Sequence, residues 1–414
     1  MKMKSVYCYM LAGLMLSASS CSSWLSEDDA PVMSYDYYET EAGVNAAITA
    51  AYGFLRWGVG GERFDVLTEL GTDLFTEGED GSNRESYNKY ATQLNPDDGI
   101  LYEMWENHYK GISDANIAMQ KIRDSQDLLE SVKIQSYAEM QFIRAYLYFD
   151  LVQQFGRIPL VTEGSFEIRT DFKRAPIADV YNVIISDLRN AAENLPEKAS
   201  VLGRATRYSA AHLLAKVYLT RGSAVKDARG QKATDMDSTL YYAEQVINSG
   251  AYALQENFSS LWDIKNQGNS EAVFAVQFTT EPMFNGDGNK QHLYWLSWYE
   301  DQPGMLRDIE NGRPYRRHVA TKKTMDDLFD RLHDSRFYKS FKWVYYANNV
   351  STLPVWESLS YDGNVYFTPD PSKGQIEGEL KFQHGDTAIY YTMQEIVNRL
   401  ETSTSVTAPI VNGR

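Results

Sequence analysis

Residues 136–162, SYAEMQFIRAYLYFDLVQQFGRIPLVT, constrain the fold more tightly than any other stretch of this chain. Ala138, Phe142, Ala145, Phe149 and Val152 recur at alternating spacings of four and three, which is one apolar stripe of an α-helix. A second stripe, Ile143, Leu147, Leu151 and Phe155, runs beside it. A helix apolar over so much of its circumference needs neighbours on more than one side. Gly156 suits a left-handed helix end, and Pro159 prevents the helix from resuming. The stretch therefore reads as a buried central helix with an abrupt extended exit. Arg144, on so apolar a helix, is expected to pair with a carboxylate from the same helical array.

Helical periodicity dominates up to about residue 250, with helices expected at about 38–56, 100–123, 130–155, 176–194, 205–221 and 236–249. Pro176, Pro196, Gly203 and Gly222 fall where helix ends belong. Successive helices joined by short turns suggest tetratricopeptide-like hairpins, but no strict repeat of 34 residues is visible. Beyond residue 250 the periodicity fades, and five of the eight tryptophans lie there. Segments 341–346 and 363–368 read as strands or irregular structure. The expected fold is mainly α: an irregular tetratricopeptide-like solenoid over 37–250, followed by a loop-rich, mixed α/β part over 251–414.

The N-terminus reads as an export signal. Lys2 and Lys4 precede an apolar run from Val6 to Leu16, too short to span a membrane, and Ala18, Ser19 and Ser20 are small residues before Cys21. Residues 1–20 are therefore expected to be a lipoprotein signal peptide, with Cys21 as the lipidated residue and 21–36 as a tether. The rival reading leaves Cys21 an ordinary thiol beside a plain secretory cleavage site. Cys8 falls inside the leader, so the mature chain would have no partner for a disulfide. The whole chain carries a formal charge of −16, and loss of Lys2 and Lys4 makes it −18. Such an acidic chain disfavours nucleic acid and anionic headgroups.

No catalytic constellation emerges. The six histidines are scattered without metal-ligand spacing. His333, Asp334 and Ser335 are consecutive, and adjacent helical residues do not face one another. Gly58, Gly60 and Gly61 lack the spacing of a phosphate loop. Glu69 and Asp73, four apart, fit two carboxylates on one helix face, but a glycosidase needs its pair across a cleft. No catalytic residue, metal or cofactor is expected.

The helix pattern A-x-x-F-x-R-A-x-x-Y-F-x-L-V followed by F-G-x-I-P-L-V, here Ala138 to Val161, resembles the signature of the SusD/RagB family. Trp105, Tyr109, Ile112, Ala115 and Asn116 are similar to a second family element, and Val180 to Pro196 and Gly203 to Leu219 resemble two more. The opening Cys21, Trp24, Leu25 and the acidic run Glu27, Asp28, Asp29 are again similar, the latter to a surface-export signal or simply a solvated tether. The resemblance implies an outer-membrane lipoprotein, exposed at the cell surface, that binds oligosaccharide beside a TonB-dependent transporter of the SusC type. It implies a structural or capping role for the T-E-L-x-T-D segment containing Glu69 and Asp73. It also implies a longer C-terminal part, with a further helix pair, so residues 251–414 read as truncated.

Sugar rings present flat C–H faces edged by hydroxyls, which aromatic rings and nearby amides or carboxylates can match. Covering about 100 Å² of such a face at about 25 cal/mol/Å² is worth about 2.5 kcal/mol before association costs, so two or three rings are needed. Two loops have suitable composition. Glu77 to Asp98 carries Asn83, Arg84, Tyr87 and Tyr90, and Phe284 to Tyr299 carries Tyr294, Trp295, Trp298 and Tyr299. The second loop fits a packed helix or strand equally well. A SusD-like binder of peptides or another nutrient and, further off, a glycoside hydrolase on a helical scaffold are the alternative functions.

Overall fold

The computed structural model describes residues 40–349, leaving out 79, 81–83, 92–93, 166–168, 227, 297–298, 302–304, 331–332, 343, 347 and, beyond 349, all but the backbone of 359–361, 364–367 and 387–390. The leader, Cys21, the whole tether, Asn83, Trp298 and the tail after 390 lie outside the described residues.

Seven helices carry the architecture: α1 (Glu41–Gly53), α2 (Glu62–Thr68), α3 (Gly99–Asp124), α4 (Glu130–Phe155), α5 (Ile177–Asn194), α6 (Arg207–Gly222) and α7 (Asp235–Ile247). From α3 to α7 each packs against the next, and α1 lies against both α3 and α4. The molecule is thus mainly α, built of successive helical hairpins, as the periodicity predicts. Boundaries follow local chemistry. Thr40 caps α1 by accepting from the Gly43 amide (3.1 Å), Asp98 caps α3 through the Ile100 amide (2.9 Å), and Thr206 and Ser209 form a reciprocal capping box on α6.

α4 is the axle of the array. Both of its predicted stripes are buried from Ala138 to Val152, with Phe155 half-buried at the end. α3 meets it closely at Gly111, where an added Cβ would fall 2.6 Å from Leu147 Cδ1. Gly156 ends α4 at φ +68°, a conformation that favours glycine. The exit that follows is stitched to the helices: Tyr109 OH donates to the Pro159 carbonyl (2.7 Å), and Asn116 Nδ2 and Tyr148 OH both donate to the Val161 carbonyl (2.9 and 2.8 Å). Trp105 and Tyr109 pack together and onto the core, their ring centroids 4.8 Å apart.

Arg144 finds its carboxylate on the next helix. Its Nε and Nη2 bond both oxygens of Asp187 (2.8 Å each), and Nη1 reaches Asn116 Oδ1 (2.7 Å) and the Thr162 carbonyl (2.9 Å). Gln141 adds a further bond to Asp187 (2.9 Å). One guanidinium therefore joins α3, α4, α5 and the exit segment.

After α7 the elements are short. β1 (Phe75–Glu77) pairs antiparallel with β2 (His318–Ala320), so that Phe75 faces Ala320 and Glu77 faces His318. β3 (Val344–Tyr346) pairs with β6 (Thr387–Tyr390), and β4 (Leu359–Tyr361) forms a hairpin with β5 (Asn364–Phe367). Strand segments expected at 341–346 and 363–368 are thus present, slightly shortened.

Asp187→Ala leaves a buried guanidinium without its counter-charge, and a loss of about 3–5 kcal/mol in urea unfolding is expected. A loss below about 1 kcal/mol would show that the pair does not hold the array together.

Candidate functional site

The two loops chosen by composition are neighbours in the fold. β1 opens the first loop, and its pairing with β2 continues through Gly78 N to Arg317 O (2.8 Å) and Asp80 N to Arg316 O (3.0 Å). The second loop is tied to the same segment, because the Leu293 carbonyl accepts from Tyr315 N (2.8 Å) and the Tyr294 carbonyl from Arg317 N (3.0 Å). Glu62 at the start of α2 serves both sides. One oxygen accepts from Arg84 Nη2 (2.7 Å) and the other lies 3.5 Å from Arg317 Nε.

In the first loop, Asn88 acts as a fastener that sequence reasoning missed. Its Oδ1 accepts from the amides of Gly71 and Glu77 and from Thr76 Oγ1, each at 3.1 Å. Tyr87 is buried against Val66 and Leu70, and its hydroxyl donates to Asp98 (2.6 Å). Burial, then that bond, pushes the Tyr87 phenol above its ordinary range. Tyr90 is the opposite case. It stands at φ +52°, unusual for an aromatic residue, and its side chain is exposed (71 %). Its ring lies against Gly71, where an added Cβ would come within 3.3 Å of Tyr90 Cε2. Among the described residues the Tyr90 ring contacts no other aromatic ring.

The second loop turns inward. Tyr294 is buried near Tyr315, and Tyr299 is fully buried, stacked on Tyr345 (5.0 Å, 12°) with its hydroxyl donating to the Gly312 carbonyl. Trp295 is half-buried between Phe75 of β1 (4.8 Å) and His318 of β2 (5.0 Å), and its indole nitrogen donates to Gln291 (3.0 Å). Trp295 is thus the contact that joins the two loops. Asn83 and Trp298, which belong to the same two loops, lie outside the described residues, as does Cys21.

Glu69 and Asp73 do not share a helix face. α2 ends at Thr68, where Glu69 caps it, and Asp73 lies beyond a turn and pairs with Lys323 (2.8 Å). Thr72 closes that turn by donating to the Glu69 carbonyl (2.7 Å). Three basic residues after 312 also pair within the chain: Arg316 with Glu300, Arg317 with Glu62 and Asp80, and Lys323 with Asp73. His333, Asp334 and Ser335 form no triad, since the His333 ring bonds Asp330 (2.7 Å). Among the described residues no group of three or more His, Cys, Asp or Glu side chains could hold a metal ion.

Beneath the loops, Asp65 Oδ2 lies 3.7 Å from His318 Nε2. Burial, with Glu69 nearby, pushes the Asp65 carboxyl from its ordinary 3.8 up to about 6, against hydrogen bonds from Gln291 and Trp295. Burial, then Arg84 and Arg317, pushes the His318 imidazole from 6.5 down to about 4. The two groups act oppositely on stability. As pH falls from 6.5 towards 4, the unfolded chain gains a proton at His318 that the fold resists, which lowers stability. Over nearly the same window the fold gains a proton at Asp65 that the unfolded chain does not, which raises it.

Residues 33–219 match the family model of SusD-like proteins described as starch-binding and associating with the outer membrane. SusD-like protein P25 of Formosa agariphila is 24 % identical over an alignment covering 96 % of this chain and 77 % of its own. SusD-like protein P2 of the same organism is 27 % identical, and the alignment covers 75 % of this chain and 63 % of P2. A solved laminarin-binding SusD-like protein shares the fold with a TM-score of 0.61 at 23 % identity, covering 85 % of this chain and 78 % of that one. These likenesses and the helical array agree on one class, the helical SusD-like proteins. Over residues 33–219 the chain matches the SusD-like family, and beyond them its likeness is to SusD-like proteins.

Asp65→Asn removes the compensating proton, so its unfolding free energy is expected to fall by about 2 kcal/mol between pH 6.5 and 4 relative to wild type. His318→Gln is expected to gain stability over the same window. Urea titrations that give both variants the wild-type pH profile would dissolve this linkage.

Proposed function

We propose that this protein is a surface-exposed outer-membrane lipoprotein that captures an oligosaccharide and passes it to a TonB-dependent SusC-type transporter, making and breaking no bonds. In this reading Cys21 carries the lipid, residues 21–36 are the tether, residues 37–250 form the scaffold, and the part from 251 onward closes the binding surface. The family description names starch binding and outer-membrane association, and a structural neighbour is named for laminarin binding. No helix among the described residues is long and apolar enough to cross a membrane, which leaves attachment to the Cys21 lipid in this proposal.

The observation that carries the reading is Tyr90. Tyr90 caps the short helix Glu85–Lys89 in the left-handed conformation, where glycine or asparagine is usual, and its large ring is turned to solvent, a choice of residue that folding alone does not favour. The loop bearing it is held by the Glu62–Arg84 pair and by Asn88, so the ring is presented rather than left to wander. Asn83 and Trp298 are proposed as its partners on the ligand. Arg84, Tyr87, Tyr294, Trp295 and Tyr299 are proposed to support the surface, since ion pairing or burial already occupies them.

Tyr90→Ala is expected to weaken binding of neutral gluco-oligosaccharides at least tenfold by calorimetry, about 1.4 kcal/mol or more, without moving the unfolding midpoint. Unchanged affinity, or tight binding only to a peptide pool, would sink the proposal. Independently, Cys21→Ser is expected to abolish palmitate labelling and release the protein from the outer-membrane fraction.

A further inference from the structure

Away from these loops, a cleft of about 450 Å³ lies between α5, the end of α6 and the start of α7. Its walls include Asn182, Ser186, Arg189 and Asn190 of α5, Tyr218 of α6 and Ser238 of α7. A second hollow of about 460 Å³ begins at the same Glu193 and continues along the far part of α7. On a chain of net charge −16, the first cleft is lined by Arg189, Arg221 and Lys232 against the single carboxylate of Glu193. Arg221 is already neutralised, because Asp235 takes both of its bonds (2.6 and 3.0 Å) in full burial. Arg189 makes no salt bridge among the described residues, and its guanidinium lies over the Tyr218 ring at 5.8 Å.

Tyr218 supplies the second observation. It is 2 % exposed, stacked on Tyr242 (5.9 Å, 7°), and its hydroxyl has no hydrogen-bond partner of standard geometry among the described residues; the Arg189 guanidinium reaches both phenol oxygens in a looser arrangement. Buried hydroxyls are almost always well paired, so one held this loosely on a cleft wall points to a group that completes it. Ile185 is the one aliphatic side chain in the lining, and amide or hydroxyl side chains take most other places. Such walls match a ligand polar on all sides better than a peptide with apolar side chains.

We propose that this cleft is a second binding site, for a sugar residue that bears a carboxylate. Arg189 and Lys232 meet the charge, while Tyr218, Asn182, Asn190 and Ser238 meet the ring hydroxyls. The site stands independently of the Tyr90 loop.

The test is titration of the full chain with D-glucuronate, D-glucose and N-acetylglutamate at low ionic strength, read by ligand-observed NMR. Glucuronate is expected to bind at least tenfold tighter than glucose and than N-acetylglutamate. Arg189→Gln is expected to erase that preference, and Tyr218→Phe, which keeps the stacked ring, to weaken glucuronate several-fold. Equal or absent binding of the two sugars, equal binding of N-acetylglutamate, or an affinity untouched by Arg189→Gln would each overturn the proposal.

Discussion

The bond network around Arg144 is the constraint on which the helical array depends. A guanidinium 6 % exposed is tolerable only if its donors find partners, and here the partners come from two other helices and the exit segment. Apolar packing alone would let α4 rotate or slide against its neighbours at little penalty, since many aliphatic arrangements have similar energy. The fork of Arg144 on Asp187 permits one register. That register places Gly111 against Leu147 and sends the chain out at Gly156 in a fixed direction.

Outward from the array, order is maintained by charge as well as by packing. A small apolar cluster, Val66, Leu70 and Tyr87, supports the first loop from beneath, and Trp295 packs between Phe75 and His318 to join it to the second. Ion pairs and amide bonds add to this, with Glu62 shared between Arg84 and Arg317 and with Asn88 holding three donors. Half-buried pairs of this kind give direction and little stability. A binding surface built so can be precise while its helical support stays unchanged. The opposed titrations of Asp65 and His318 suit the same arrangement, because a single buried charge there would tie the loops to one pH.

The proposed second site follows a different logic. The Tyr90 loop offers a ring to solvent, whereas the cleft beside α6 offers charge and hydroxyl partners. A neutral face and a carboxylate would be read by separate surfaces of one molecule, which would favour a chain carrying both kinds of sugar over either alone.

Much of the helical architecture could be read from periodicity, because a helix that must be buried on several sides repeats its apolar residues wherever it makes contact. The stripes of α4, the glycine at its end and the need of Arg144 for a carboxylate are local facts of composition and spacing. The choice of Asp187 among many carboxylates is not local; it depends on how α4 and α5 cross. The same holds for the aromatics of the second loop. LYWLSWYE has one composition whether its rings face solvent or core, and the pairing of β1 with β2, more than two hundred residues apart, turns Tyr294 and Tyr299 inward while leaving Tyr90 outside. Asn88, Glu62 and the Asp65–His318 pair carry no sequence signal, since a polar side chain becomes a fastener only when distant backbone amides and charges are brought within reach of it.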